Sequence, residues 1–152
     1  MESTSIQDVC QAEIVRLHRF FVDWYHGRLP PTDEAWTVLT DALAPAFELI
    51  APSGHVLARE PLLSALRGRH ASHDSEGGFR IWIRGFDCRH VDERTVVATY
   101  EEWQHLDGED RGRLSTVVFQ RVPANSTTLR WLHVHETWLP QEPAEAGTDS
   151  AT

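Results

Sequence analysis

Four stretches in the second half of the chain, residues 79–90, 94–106, 111–122 and 129–139, are long and rich in β-branched and aromatic residues. They are separated by Asp92-Glu93, by Asp107-Gly108-Glu109-Asp110 and by the looser segment 123–128. Parallel neighbours need a crossover of a dozen or more residues, so connections this short make an antiparallel meander. A two-residue turn at Asp92-Glu93 pairs Val91 with Arg94, setting Trp82 opposite Trp103 and Arg84 opposite Glu101. A four-residue turn at Asp107–Asp110 sets Glu101 opposite Thr116 and Trp103 opposite Leu114.

The first half reads as helices. Ile6, Cys10, Ile14, Leu17, Phe21 and Trp24 recur at spacings of three and four, which predicts an amphipathic helix ending at Gly27. Thr32 caps a second helix through about Leu43, burying Trp36 and Leu39. Residues 46–51 and 55–57 flank Pro52-Ser53-Gly54 as a short hairpin, and Glu60-Pro61 opens a third helix ending near Gly68. Helices followed by a long antiparallel sheet make an α+β fold with the helices on one face.

With 152 residues, 41% of them apolar, one domain over 1–139 is expected, followed by a Pro-, Ala- and Glu-rich disordered tail over 140–152. No apolar run reaches the roughly 18 residues of a membrane span, and the N-terminus lacks the pattern of a signal peptide. A net charge of -9 argues against nucleic acid and anionic membranes as partners. Cys10 and Cys88 read as free thiols of a cytoplasmic protein. His70, His73 and Asp74 in loop 69–78 lack a further ligand at fixed spacing and read as a solvated loop, so no metal site is expected. No Gly-rich phosphate loop, Cys-x-x-Cys pair or Gly-x-Ser-x-Gly elbow appears, and no cofactor is expected.

Alternate strands of a meander run the same way, so one edge of the sheet gathers the Trp, Arg, Glu and His residues while the other stays aliphatic. The expected register puts Trp82, Arg84, Glu101, Trp103, Leu114 and Thr116 on one face, and Tyr100, Glu102, Gln104, Arg113 and Ser115 on the other. In the last strand Leu132, Val134, Glu136 and Trp138 alternate with Trp131, His133, His135 and Thr137. The aliphatic pair Leu132 and Val134 favours the Glu136 face as the inner one.

That last strand carries a resemblance. Trp131-Leu132-His133-Val134-His135-Glu136-Thr137 is similar to the Trp-x-x-Val-His-x-His strand of the association (hub) domain of calcium/calmodulin-dependent kinase, with Thr137 in place of the second His. The order of elements over residues 6–139 resembles the nuclear transport factor 2-like superfamily, within it the SnoaL-like group of domain of unknown function 4440. The resemblance implies a cone-shaped barrel, a hydrophobic pocket between sheet and helices, and a homodimer built on the outer sheet face. Carried over, Leu132, Val134, Glu136 and Trp138 point inward and His133 and His135 face a second subunit. The superfamily includes steroid isomerases, epoxide hydrolases, dehydratases and polyketide cyclases, whose Asp and Tyr sets do not map onto this chain.

Three functions follow. In the first, the pocket binds a small anionic or amphipathic molecule: Arg84 meets a carboxylate, Glu101, Thr116 and Glu136 add polar contacts, and Trp82, Trp103 and Trp138 form apolar walls. Against it stands the plain reading that Arg84 and Glu101 satisfy each other. In the second, an enzyme isomerises, dehydrates or cyclises its substrate with Glu136 as general base, its pKa raised by burial, or with Glu101, which Arg84 would hold ionised. In the third, the chain self-assembles through Tyr100, Gln104, Arg113, His133 and His135. The His133-x-His135 pair fits such an interface better than a metal site, because no third ligand is assignable.

Overall fold

The computed structural model describes residues 5–73 and 78–140; Asp74 and the expected tail beyond Pro140 lie outside them. Helix α1 (Ile6–Tyr25) starts where the Ser5 hydroxyl accepts the Asp8 amide at 3.1 Å. It buries Cys10, Ile14, Leu17, Phe20 and Trp24, as its apolar spacing requires. Gly27 ends it at φ 76°, a left-handed position where a Cβ would come within 2.9 Å of Ala71. Helix α2 (Asp33–Ala42) is capped by Thr32, which accepts the Ala35 amide at 3.2 Å. Strands β1 (Leu43–Ile50) and β2 (Val56–Ala58) form the small hairpin, and α3 (Arg59–Arg67) follows with Pro61 inside its first turn.

The meander is β3 (Arg80–Val91), β4 (Thr95–Leu106), β5 (Glu109–Arg121) and β6 (Leu129–Trp138). It extends into a six-stranded sheet of order β2-β1-β6-β5-β4-β3, in which β1 runs parallel to β6. The sheet is bent but not closed: β2 and β3 remain edges, so the expected barrel is an open sheet.

Register is correct in one hairpin by two cancelling differences. Val91 pairs with Val96 rather than Arg94, and irregularities between Cys88 and His90 and between Arg84 and Asp87 each take up one residue. Gly85 supplies the positive φ of 63° at the second. Trp82 therefore lies opposite Trp103 and Arg84 opposite Glu101, as the turn-based register expects. The next turn holds two residues, not four. Asp107 and Gly108 both take positive φ, the mark of a primed hairpin turn, so Glu101 faces Leu114 and Trp103 faces Gly112. A slip of two leaves each side chain on its expected face.

In β6 an extra residue intervenes. Phe119 pairs with Trp131 and Val118 with His133, which leaves Leu132 unpaired and turns Trp131 inward. Strict alternation had put Trp131 outside; the bulge re-phases it.

Three-strand rows on the helix-covered face run from Val96–Phe119–Trp131 through Ala98–Val117–Val134 to Tyr100–Ser115–Glu136, and then Glu102–Arg113–Trp138. The first three rows are buried throughout and include the heart of the core. Along one face, then, the sheet passes from aliphatic and aromatic to charged.

Candidate functional site

The helix-covered face is the one carrying Tyr100, Glu102, Gln104, Arg113 and Ser115. The expectation of Trp82, Arg84, Glu101, Trp103 and Thr116 as pocket lining, and of Tyr100, Gln104 and Arg113 as an outer face, is reversed. Both faces of the sheet's polar end carry Arg, Glu and aromatic residues, so their types did not tell inside from outside. On the outer side Trp82 and Trp103 stack at 6.3 Å and 17°, Arg84 lies over Trp103 at 5.2 Å, and the Trp103 indole donates to Glu101 at 2.9 Å. His133 and His135 share that outer side, 6.5 Å apart between ring centres. Among the described residues no group of three His, Cys, Asp or Glu side chains is placed to hold a metal ion. Trp138 keeps the inner phase of β6 but stands 41% exposed at the end of the strand, with Arg111 stacked 3.7 Å from its ring centre.

Between the inner face and the helices lies a cavity of about 440 Å³. Its walls are largely apolar, with Leu17 and Phe21 of α1, Leu39 of α2, Phe47 of β1 and Leu66 of α3. Tyr25, His73, the buried Phe79 and the exposed Arg69 also line it. The polar floor comes from α1 and the last two inner rows.

Glu102 organises that floor. It is 4% exposed and fully engaged: one oxygen receives His18 Nε2 at 3.2 Å, the other Gln104 Nε2 at 2.7 Å and Arg113 Nη2 at 2.6 Å. The His18 Nδ1 faces the Ile14 carbonyl at 2.8 Å, and a carbonyl can only accept. Both ring nitrogens thus face oxygens, so His18 either carries two N–H groups or shares a proton with Glu102. Arg113 reaches across to Glu136 with its second terminal nitrogen at 3.2 Å.

Two carboxyls therefore share one guanidinium, and unequally. Burial alone raises Glu102, but the charges of His18 and Arg113 and the hydrogen bonds from His18 and Gln104 outweigh it and hold the group well below the usual carboxylate range. Glu136, 7% exposed with the one longer contact, is lifted by burial to about 7, Arg113 opposing and the Glu102 charge adding. Arg113 itself is raised: burial lowers it, and Glu102 and Glu136 more than reverse that. The Tyr100 phenol is driven up by burial and then by Glu102 and Glu136, so it stays a hydrogen-bond donor. The floor thus combines one fixed carboxylate, one carboxyl that titrates near neutrality, a guanidinium and a protonated phenol.

Sequence reasoning placed Glu136 on the inner face. It did not single out His18 or Glu102. His18 follows Ile14 by one helical turn inside an otherwise apolar stripe, and a polar residue there is a usable signal. Glu102 continues the inward phase of Val96, Ala98 and Tyr100.

A model of the sucrose-6-phosphate phosphohydrolase C-terminal family matches residues 10–140. The chain belongs to that family. Sucrose-phosphatase 1 of Nicotiana tabacum is 30% identical over 145 residues, which cover 92% of this chain but 32% of that protein. The chain thus spans about a third of the length of the curated relatives it matches. Among solved structures, an NTF2-like protein of unknown function from Pseudomonas aeruginosa superposes with a TM-score of 0.76 at 27% identity, covering 87% of this chain and 99% of that one. The hub homology domain of calcium/calmodulin-dependent kinase II from Chlamydomonas reinhardtii gives a TM-score of 0.60 at 12% identity, over 86% and 99%, a likeness of fold alone. The sucrose-6-phosphate phosphohydrolase C-terminal family thus has the nuclear transport factor 2-like fold here, and it replaces the narrower domain of unknown function 4440 grouping expected from sequence.

Proposed function

We propose that this domain is a small-molecule-binding module whose ligand occupies the cavity between α1, α2, α3 and the inner sheet face. One observation carries the reading: about 440 Å³ of largely apolar space ends on a convergent polar floor. Volumes of roughly 300–1,000 Å³ with a few placed polar groups are typical of ligand sites. A floor needed only for stability is better built from hydrophobic residues, since burying this many charges costs more than packing does. Native mass spectrometry of the purified protein tests the proposal. The expected result is one bound molecule per chain, either co-purified or after addition of N-phenyl-1-naphthylamine, an uncharged apolar fluorophore. Protein that neither carries an adduct nor takes up the fluorophore saturably would sink it.

A second reading is favoured by the single longer contact of Glu136. A buried carboxyl titrating near 7 beside a protonated phenol is suited to moving a proton on a bound substrate, with Glu136 as base and Tyr100 as donor. Glu101, on the outer face, has no part in that chemistry.

The proposed partner is a second copy of the chain, seated on the outer face that carries His133, His135 and Leu114, which is 38% exposed. Unpaired Cys10 and Cys88 support a reducing compartment such as the cytoplasm. Among the described residues no helix is long and apolar enough to cross a membrane.

A further inference from the structure

We infer that the cavity selects an amphipathic alcohol, an apolar body ending in an uncharged hydroxyl that meets Glu136, and discriminates against carboxylate and phosphate heads. The inference rests on the binding reading above and specifies its ligand chemistry.

The sequence-based case for an anion relied on Arg84, which lies outside over Trp103. The guanidinium of the floor, Arg113, is already held between Glu102 at 2.6 Å and Glu136 at 3.2 Å. Arg69, which also lines the cavity, is exposed, and water screens its charge. An anionic head at the floor would meet the two carboxyls with no uncommitted charge to receive it, and its desolvation would go uncompensated. A cationic head would meet the Arg113 guanidinium. A neutral head avoids both.

The hydrogen-bond inventory says which neutral head. Glu102 is saturated by three donors, whereas Glu136 has one contact, from Arg113, and keeps acceptor capacity. Lining the same floor, the Arg113 Nε–H is buried without a partner. Buried polar groups left unpaired are uncommon and point to something that completes them. A hydroxyl donates one hydrogen bond and accepts two, so it can give to Glu136 and receive from a neighbouring N–H or O–H. A ketone or ether would leave Glu136 short of a donor. Leu17, Phe21, Leu39 and Phe47 offer the attached body an apolar wall.

The test displaces bound N-phenyl-1-naphthylamine at pH 8 with 1-octanol, octanoate, octyl phosphate and octylammonium, which share a chain and differ in the head. Octanol is expected to displace the fluorophore at a concentration at least tenfold below each charged analogue. In Glu136→Gln, which removes the negative charge and frees part of Arg113, the gap between octanol and octanoate should shrink to less than threefold. The variant's own uptake of fluorophore reports an intact cavity, and the wild-type ranking decides alone if that uptake is lost. Equal displacement by all four heads, preference for octanoate or octyl phosphate, or a gap unchanged in Glu136→Gln overturns the alcohol inference while leaving the binding site standing. Failure of the wild-type protein to take up the fluorophore overturns both.

Discussion

The two faces of β4 carry nearly the same chemistry. Outside, Glu101 lies opposite Arg84 and accepts the indole N–H of Trp103, beside Trp82. Inside, Glu102 lies opposite Arg113, which in turn faces Trp138. The inner set is covered by α1, whose His18 closes on Glu102, and the outer set faces away from the helices. Cover changes what the residues do. An exposed ion pair gains little because water screens it, whereas a buried one is costly to assemble and costlier to break, since each partner is then stranded.

The largest effect should come from removing the two glutamates separately. Glu102→Ala leaves His18 without its carboxylate and Arg113 with Glu136 alone in the interior, and should lower the unfolding free energy by roughly 3–5 kcal/mol. Glu101→Ala should lower it by less than about 1 kcal/mol. Urea denaturation of both variants checks this, with unchanged slopes showing that the native state alone is affected. Comparable losses would mean that the two faces are equally screened and would erase the distinction.

The next effect separates Glu136 from Glu102 by pH. The Glu136 carboxyl titrates at about 7 in the folded protein against 4.5 when unperturbed, so between these values the native state binds the extra proton. Stability from this group is therefore present below pH 4.5 and is lost as pH rises to 7, by on the order of 3 kcal/mol at about 1.4 kcal/mol per unit. Glu102 has the opposite sign: its folded-state value is depressed, so its contribution is present above the ordinary carboxylate range and fades as pH falls below it. Glu136→Gln should accordingly raise the Tm at pH 8, leave it nearly unchanged at pH 4.5 and flatten the slope between. A variant whose stability profile runs parallel to wild type would show that Glu136 does not titrate in that window.

These differences mark what the sequence could and could not disclose. Helix faces, the meander and the gathering of polar residues at one end were legible because apolar period and turn chemistry are local. Even a two-residue error at Asp107-Gly108 left the faces intact, because side chains alternate with period two. Which face was covered was not legible. Val97 and Val118 outside look as aliphatic as Val96 and Val117 inside, and only packing against α1 separates them. The bulge at Leu132 was equally hidden, since Trp131 turns inward to meet Phe119 at 4.8 Å and to donate its indole N–H to Glu13 at 2.9 Å, both tertiary contacts.

The smallest expected effect probes how firmly the outer set is built. Gly112 lies opposite Trp103, and a Cβ added there would sit 2.7 Å from the indole and 2.9 Å from the Leu139 methyl. Gly112→Ala must push the Trp103 ring aside, which breaks its hydrogen bond to Glu101 and disturbs both the stack on Trp82 and the contact with Arg84. Overpacking of this kind costs about 1–3 kcal/mol in a closed interior. Here the ring is only half-buried, and alanine also restricts the unfolded chain, which returns about 0.4–1 kcal/mol. The net loss should be about 1 kcal/mol, with a change in tryptophan emission as the indole leaves Glu101. Fluorophore uptake should be unchanged, because the cavity lies on the opposite side of β4. If Gly112→Ala reduced that uptake, the two faces would be mechanically coupled through the strand, and the outer tryptophans would belong to the site after all.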